Sequence, residues 1–157
     1  MSSTLDLYQH FTRWPFGKHL ASAALGMRAP YFSTIHPLIL ELAPGRCKVQ
    51  IKDRRSIRNH IGTIHAGAMC TLRELVGGLA VDASLPKKLR WIPKEMIVRY
   101  LKKARGTLTA LCAFDPGVLL PGDVPVSLQV MDSSGESVLE ATILFYISER
   151  KSTLNQS

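Results

Sequence analysis

Three cysteines in 157 residues, Cys47, Cys70 and Cys112, are too few and too widely spaced for a disulfide framework or a zinc site, and each sits in an apolar run that suits a reduced thiol. No metal and no cofactor is implied. Nothing approaches the roughly 18 uninterrupted apolar residues of a membrane span, and no membrane partner is expected. The opening residues have no basic stretch followed by a long apolar run, which argues against a secretory leader and for a cytoplasmic location. Acidic residues are also scarce, 12 against 20 Lys and Arg, leaving a formal charge of +8. Such an excess bears on association with anions rather than on fold. The basic residues gather in "KDRRSIR" (52–58) and in a span holding Lys87, Lys88, Arg90, Lys94, Arg99, Lys102, Lys103 and Arg105. Neither cluster is interleaved with aromatics and no groove-reading motif occurs, so nucleic acid is not expected and a phosphorylated small molecule fits better.

What is present reads as one α+β domain over 1–157, long enough to bury a core. Residues 5–28 carry a helical pattern broken at "RWPFG", where Pro15 removes an amide donor, which predicts two short helices whose apolar set, Leu7, Tyr8, Phe11, Trp14, Phe16, Leu20 and Leu25, covers a sheet or lines a pocket. Two strands follow, "HPLILELAPG" and "RCKVQIKD", with Cys47, Val49 and Ile51 alternating against Lys48, Gln50 and Lys52 and a turn at Pro44-Gly45. After one strong helix over 66–83 come four more strands, "KEMIVRYL", "GTLTALCAF", "DVPVSLQVM" and "SVLEATILFYI", read as hairpins through Gly106 and "DSSGE". Pro125 marks an edge or a strand start. The last residues, 151–157, read as a flexible tail.

On a helical wheel Ala68, Met69, Leu72, Leu75, Val76, Leu79, Ala80 and Ala83 form one wide apolar stripe fit for a curved sheet. The other face carries Gly67, Cys70, Thr71, Gly77, Gly78 and Val81, with Glu74 near its middle and Arg73 and Asp82 at its margins. Glycines in a helix interior cost roughly 0.5–1 kcal/mol each relative to Ala, so something must approach closely there: a second copy of the helix, or the contents of a cleft into which Glu74 points. A carboxylate in such a cleft serves as general base toward water or as a nucleophile. Just upstream, Asn59, His60, Gly62, Thr63 and His65 crowd polar groups against the helix N-terminus, where free amides and the helix dipole favour developing negative charge.

The spacing Asn59-x-x-Gly62-Thr63-Ile64-His65-Ala66-Gly67, with Glu74 nine residues after the histidine, resembles the loop and acidic helix residue of hotdog-fold acyl-CoA thioesterases of the phenylacetic-acid-pathway type. The whole chain resembles the DUF4442 branch of that superfamily. The resemblance implies a hotdog fold, an antiparallel sheet wrapped around one long central helix, and a site assembled from two subunits of a dimer or tetramer acting on acyl-CoA. It implies that Glu74 is general base or nucleophile, that the Ala66 amide polarises the thioester carbonyl, that Asn59 orients water or substrate, and that His65 braces the loop. Gly67, Cys70 and Thr71 would line the substrate, and Arg58, Lys102, Lys103 and Arg105 would be offered to the coenzyme A phosphates, with Arg54 and Arg55 as further candidates. The chain departs from the pattern where Ala66 replaces Gly and Glu replaces the commoner Asp, and where a second polar residue of some relatives falls near Pro93. Two rival readings are a non-catalytic acyl-CoA binder or sensor and a Cys70 nucleophile one helical turn from Glu74.

Overall fold

The computed structural model describes residues 3–150; the tail read over 151–157 lies outside them. Helix α1 (Thr4–Thr12) opens with a capping box in which the Ser3 hydroxyl accepts the Asp6 amide at 3.0 Å and the Asp6 carboxylate accepts the Ser3 amide at 2.9 Å. The chain turns at Trp14-Pro15-Phe16, and α2 (Gly17–Arg28) starts where a Cβ on Gly17 would lie 2.0 Å from the Phe11 carbonyl oxygen. Only glycine fits this corner, and the two short helices expected from the break at Pro15 are both present.

Six strands follow the helical cover: β1 (Leu38–Ala43), β2 (Arg46–Ile51), β3 (Leu89–Tyr100), β4 (Leu108–Ala113), β5 (Gly122–Met131) and β6 (Ser137–Glu149), with α3 (Ala66–Ser84) between β2 and β3. They make one antiparallel sheet in the order β1-β2-β4-β5-β6-β3, and α3 touches all six strands. That is the hotdog arrangement. The β1–β2 turn closes at Gly45, whose φ of 71° falls in the left-handed region that glycine adopts freely. Cys47, Val49 and Ile51 of β2 point inward as their alternation predicts, and Val124, Val126, Leu128 and Val130 do the same from β5. Cys47 and Cys112 face each other across β2 and β4, and burial pushes both thiols up, Cys112 to about 12, so they serve as small apolar side chains.

One expected hairpin does not form. β3 pairs with β6 and β4 pairs with β2 and β5, although β3 and β4 are consecutive. The excursion through α3 carries the chain from one side of the sheet to the other, where β3 becomes an edge strand. Pro125 sits near the start of β5, paired with Leu144 of β6 but beyond the reach of β4, which pairs only as far as Leu128.

The glycine-bearing flank of α3 also differs from expectation. A Cβ on Gly77 would meet Ile143 at 3.0 Å, Leu128 at 3.2 Å and Phe145 at 3.4 Å, and one on Gly78 would meet the Trp91 ring at 2.9 Å. Both glycines are consumed by the protein's own sheet, which closes on α3 from this side too. Arg73, placed by the wheel at the margin of a polar face, is fully buried. Replacing Gly77 by Val forces a branched side chain into this contact and is expected to cost about 1–3 kcal/mol in urea unfolding. An unchanged midpoint would mean that α3 does not depend on close approach at this position.

Candidate active site

The loop before α3 is built around Asn59. Its Oδ1 accepts the Ile61 amide at 3.2 Å and the Thr63 amide at 3.0 Å, while its Nδ2 donates to Thr63 Oγ1 at 2.8 Å. The main chain adds Asn59 N–H to Thr63 O at 2.8 Å, and Gly62 takes a φ of 73° to close the turn. Two further bonds fasten the loop to its surroundings, Ile64 N–H to Ala104 O at 2.9 Å and His65 N–H to Ile57 O at 2.8 Å. Asn59 therefore holds the loop, and its side chain is largely committed before any substrate arrives.

His65 is the N-cap of α3, accepting the Gly67 amide on Nδ1 at 2.9 Å. Ala66 and Gly67 are exposed, and among the described residues the Ala66 amide has no acceptor within the protein. An N–H at the positive end of a 19-residue helix is thus left open to a ligand. Thr71 is buried, its hydroxyl bound to Gly67 O at 2.9 Å, and so stabilises the first turn.

Further along α3 the sheet leaves one seam uncovered, running through Gly67, Cys70, Glu74 and Asp82 beside edge strand β3. Cys70 Sγ lies 3.1 Å from Tyr100 Oη and 3.5 Å from Arg73 Nη2. The buried Arg73 guanidinium otherwise donates to Glu140 O at 3.2 Å and Met69 O at 3.4 Å, with no carboxylate partner among the described residues, and burial lowers its pKa. Neither Arg73 nor Tyr100 stands out in the sequence, since an arginine at a wheel margin and a tyrosine ending a strand have bland surface readings.

Glu74 is half-buried and, among the described residues, makes no hydrogen bond or ion pair. It borders a cavity of about 360 Å³ whose walls come from α2 and the turn after it (Leu25, Ala29, Phe32), from α3 (Leu75, Gly78, Leu79) and from β3 (Trp91, Pro93). The lining is mainly apolar. The N-terminal helices thus form a wall of the cavity as well as covering the sheet. Pro93 shares this cavity with Glu74. A wider groove of about 550 Å³ lies on the outer face of the sheet, bordered by Ile97, Leu111, Ser127 and Thr142 and away from the α3 loop.

The basic candidates divide. Arg58 Nε is bound to Asp53 Oδ1 at 2.7 Å, a bond that holds the Asp53 carboxyl below its usual range, and Lys102 pairs with Asp132 at 2.7 Å and with Glu136. Lys103 and Arg105 are exposed and carry no ion pair among the described residues. Among the described residues no group of His, Cys, Asp and Glu is placed to hold a metal ion, and no helix is long and apolar enough to cross a membrane.

A long helix enclosed by six antiparallel strands, open along one seam that carries a carboxylate and ending in a free amide, defines a hotdog-fold protein with a crevice on its central helix. The chain belongs to the DUF4442 family, described as a domain of unknown function, whose model matches residues 17–147. A crystal structure from structural genomics is 35% identical, with a TM-score of 0.84 over 94% of this chain and 99% of that one. A Pseudomonas aeruginosa protein described as a probable thioesterase is 25% identical, with a TM-score of 0.75 over 87% of this chain and 97% of that one. A hypothetical thioesterase from Streptococcus pneumoniae, solved with coenzyme A, shares the fold at 22% identity, with a TM-score of 0.61 over 74% of this chain and 91% of that one. No match is found among curated proteins.

If Asn59 is a loop brace, Asn59→Ala removes three hydrogen bonds and is expected to lower stability by about 1–3 kcal/mol in urea unfolding. A variant of native stability would return Asn59 to the role of orienting water or substrate.

Proposed function

We propose that this protein is a thioester hydrolase acting on acyl-CoA, with each active site shared by two copies of the chain. The observation that carries the reading is Glu74, an unpaired, half-buried carboxylate on the rim of an apolar cavity. An apolar cavity of this kind accepts an acyl chain and leaves the carboxylate beside the head of that chain. Membership of the DUF4442 family and similarity to a probable thioesterase support the class of reaction, and the coenzyme A complex of a protein of the same fold supports the class of substrate.

The need for two copies follows from helix geometry. Ala66 and Glu74 are eight residues apart on one straight helix, about 12 Å at 1.5 Å per residue, too far for both to reach one thioester carbonyl. Edge strand β3 has a free backbone edge, exposes Ile92 and Ile97, and carries Tyr100 against Cys70 in the α3 seam. Pairing β3 with β3 of a second copy protects that edge and lays the two α3 helices antiparallel. Cys70 lies four residues from both Ala66 and Glu74, so a two-fold axis passing near it sets Ala66 of one copy opposite Glu74 of the other.

In this arrangement the Ala66 amide, oriented by the His65 cap, donates to the thioester oxygen and stabilises the oxyanion. Glu74 takes a proton from water as the water oxygen bonds to the carbonyl carbon, or attacks that carbon itself to give an anhydride that water then opens. On the first route the carbon–sulfur bond then breaks and the proton held by Glu74 passes to the coenzyme A thiolate; on the second the thiolate leaves as the anhydride forms and takes its proton from the water that opens it. Gly67 leaves room for the reacting carbon, Cys70 and Thr71 support the crevice wall, and Lys103 and Arg105 are the free cations for the phosphates, while Arg58 and Lys102 must first leave their ion pairs. A second reading, a binder that holds acyl-CoA without cleaving it, is favoured by Pro93 standing where some relatives place a second polar group.

Thiol release from a panel of acyl-CoA substrates separates the two readings. Hydrolysis is expected, and saturable binding with no thiol released selects the binder. Glu74→Ala should lower turnover by about 10²–10⁴-fold without loss of folding. Ala66→Pro deletes only the amide, at the helix position that proline favours, and His65 already has the extended conformation required before proline, with φ −64° and ψ 139°. Mixed in equal amounts and allowed to exchange, these two inactive variants should regain roughly a quarter of native activity, because half of the dimers are mixed and each mixed dimer has one intact site of two. No recovery contradicts the shared site.

A further inference from the structure

Helix α2 turns an apolar face outward as well as inward. At about 100° per residue, Phe16, Leu20, Ala23 and Met27 fall within roughly 60° of arc, opposite the face that buries Ala21, Ser22 and Leu25. The inner face is anchored, since Ser22 Oγ accepts the Ile39 amide of β1 at 2.9 Å. The outer stripe is uncovered: Phe16 is 82% exposed and Met27 78%, and the row is extended by exposed Trp14 and Tyr31. Phe16 is held there by a left-handed backbone, with φ 60°.

The segment that carries this face is basic, although Arg28 at its end shares a cavity with Glu74 and Asp82. From residue 7 to residue 40 the sequence contains no Asp or Glu, while Arg13, Lys18, Arg28 and three histidines fall in the same span. Beside the stripe, between α2, the turn that follows it and β2, lies a cavity of about 350 Å³ lined by His19, Ser33, His36, Gln50, Lys52 and Arg54 with no carboxylate among its walls. Ala23 borders it, so its mouth opens alongside the row of aromatic and aliphatic side chains. Arg54 Nε is buried with no hydrogen-bond partner. A buried donor left unmatched beside an acid-free cavity calls for an anionic acceptor.

We propose that this face docks on an anionic phospholipid bilayer, with Trp14, Phe16, Leu20 and Met27 entering the headgroup boundary and a lipid phosphate occupying the pocket of His19, His36, Lys52 and Arg54. Aromatic and long aliphatic side chains flanked by cations are the composition that interfacial helices use. A second copy is the poorer occupant, because apposing two copies of this acid-free pocket and helix sets like charges against each other. The proposal departs from the expectation of no membrane partner, which follows from a segment whose basic and apolar residues are not cleanly divided in sequence. It does not depend on the hydrolase reading.

Co-sedimentation with phosphatidylcholine vesicles, with and without about 30% phosphatidylglycerol, tests it at moderate salt. The native protein should pellet with the anionic vesicles only, and Trp14 should be quenched by brominated lipid. Phe16→Asn with Met27→Ser should weaken binding at least about tenfold at an unchanged melting temperature, since Asn tolerates the left-handed backbone, and Lys52→Glu should weaken it comparably. Absence of vesicle binding overturns the proposal. So does binding that survives the Phe16→Asn, Met27→Ser change, which would be charge adsorption alone. Full displacement by millimolar inorganic phosphate with no effect of that double change would mark a free-anion site instead. Self-association lost in the double variant, without vesicle binding, would assign the face to a second copy.

Discussion

Close approach of α3 to the sheet is the constraint on which the remaining structure rests. With Gly77 and Gly78 presenting no side chain, Ile143, Leu128, Phe145 and the Trp91 ring reach the helix backbone, and six strands close around it. A helix so enclosed has one open seam, and whatever stands in that seam is set against the edge of the sheet. Glu74 stands there. The enclosure that stabilises the fold also keeps the carboxylate half out of water and leaves a cavity next to it.

The two ends of the proposed chemistry are made by different means. At the N-terminus of α3 the loop is locked by Asn59, Thr63 and Gly62, and the His65 cap satisfies the Gly67 amide while leaving that of Ala66 free. Near the middle, Glu74 is free because Arg73, its neighbour, turns into the core and spends its donors on carbonyl oxygens and Cys70. Were Arg73 to swing out beside Glu74, an ion pair would replace the free carboxylate. Burial of one charge and availability of the next thus belong to one packing decision.

Much of this was legible in the residues. Strand patterns located five strands and the second half of β3, from Lys94 onward, Pro15 located the break between α1 and α2, and the apolar stripe located α3 almost to its ends. Loop spacing pointed to Asn59, His65 and Glu74 together. What escaped was long-range. No local pattern says that β3 leaves β4 and joins β6, because that choice is made by the path of the chain around α3. The double glycine points to a second copy or a cleft, whereas its partners are Leu128, Ile143, Phe145 and Trp91, distant in sequence. The ion pairs of Arg58 with Asp53 and of Lys102 with Asp132 likewise join separate turns, so these cations looked as free as Lys103 and Arg105. Trp14, Phe16 and Leu20 belong to an apolar set that reads as cover for the sheet, because nothing local in the sequence says which of its members face outward.

The central claim is that one copy supplies the amide and another the carboxylate to a single thioester. A crystal structure with an acyl-CoA analogue in which methylene replaces the thioester sulfur addresses it directly. The account predicts the analogue's carbonyl oxygen at about 3 Å from the Ala66 amide of one copy, with the Glu74 carboxylate of its partner beside the carbonyl carbon. A carbonyl bound away from the Ala66 amide, or approached by no Glu74, would contradict it.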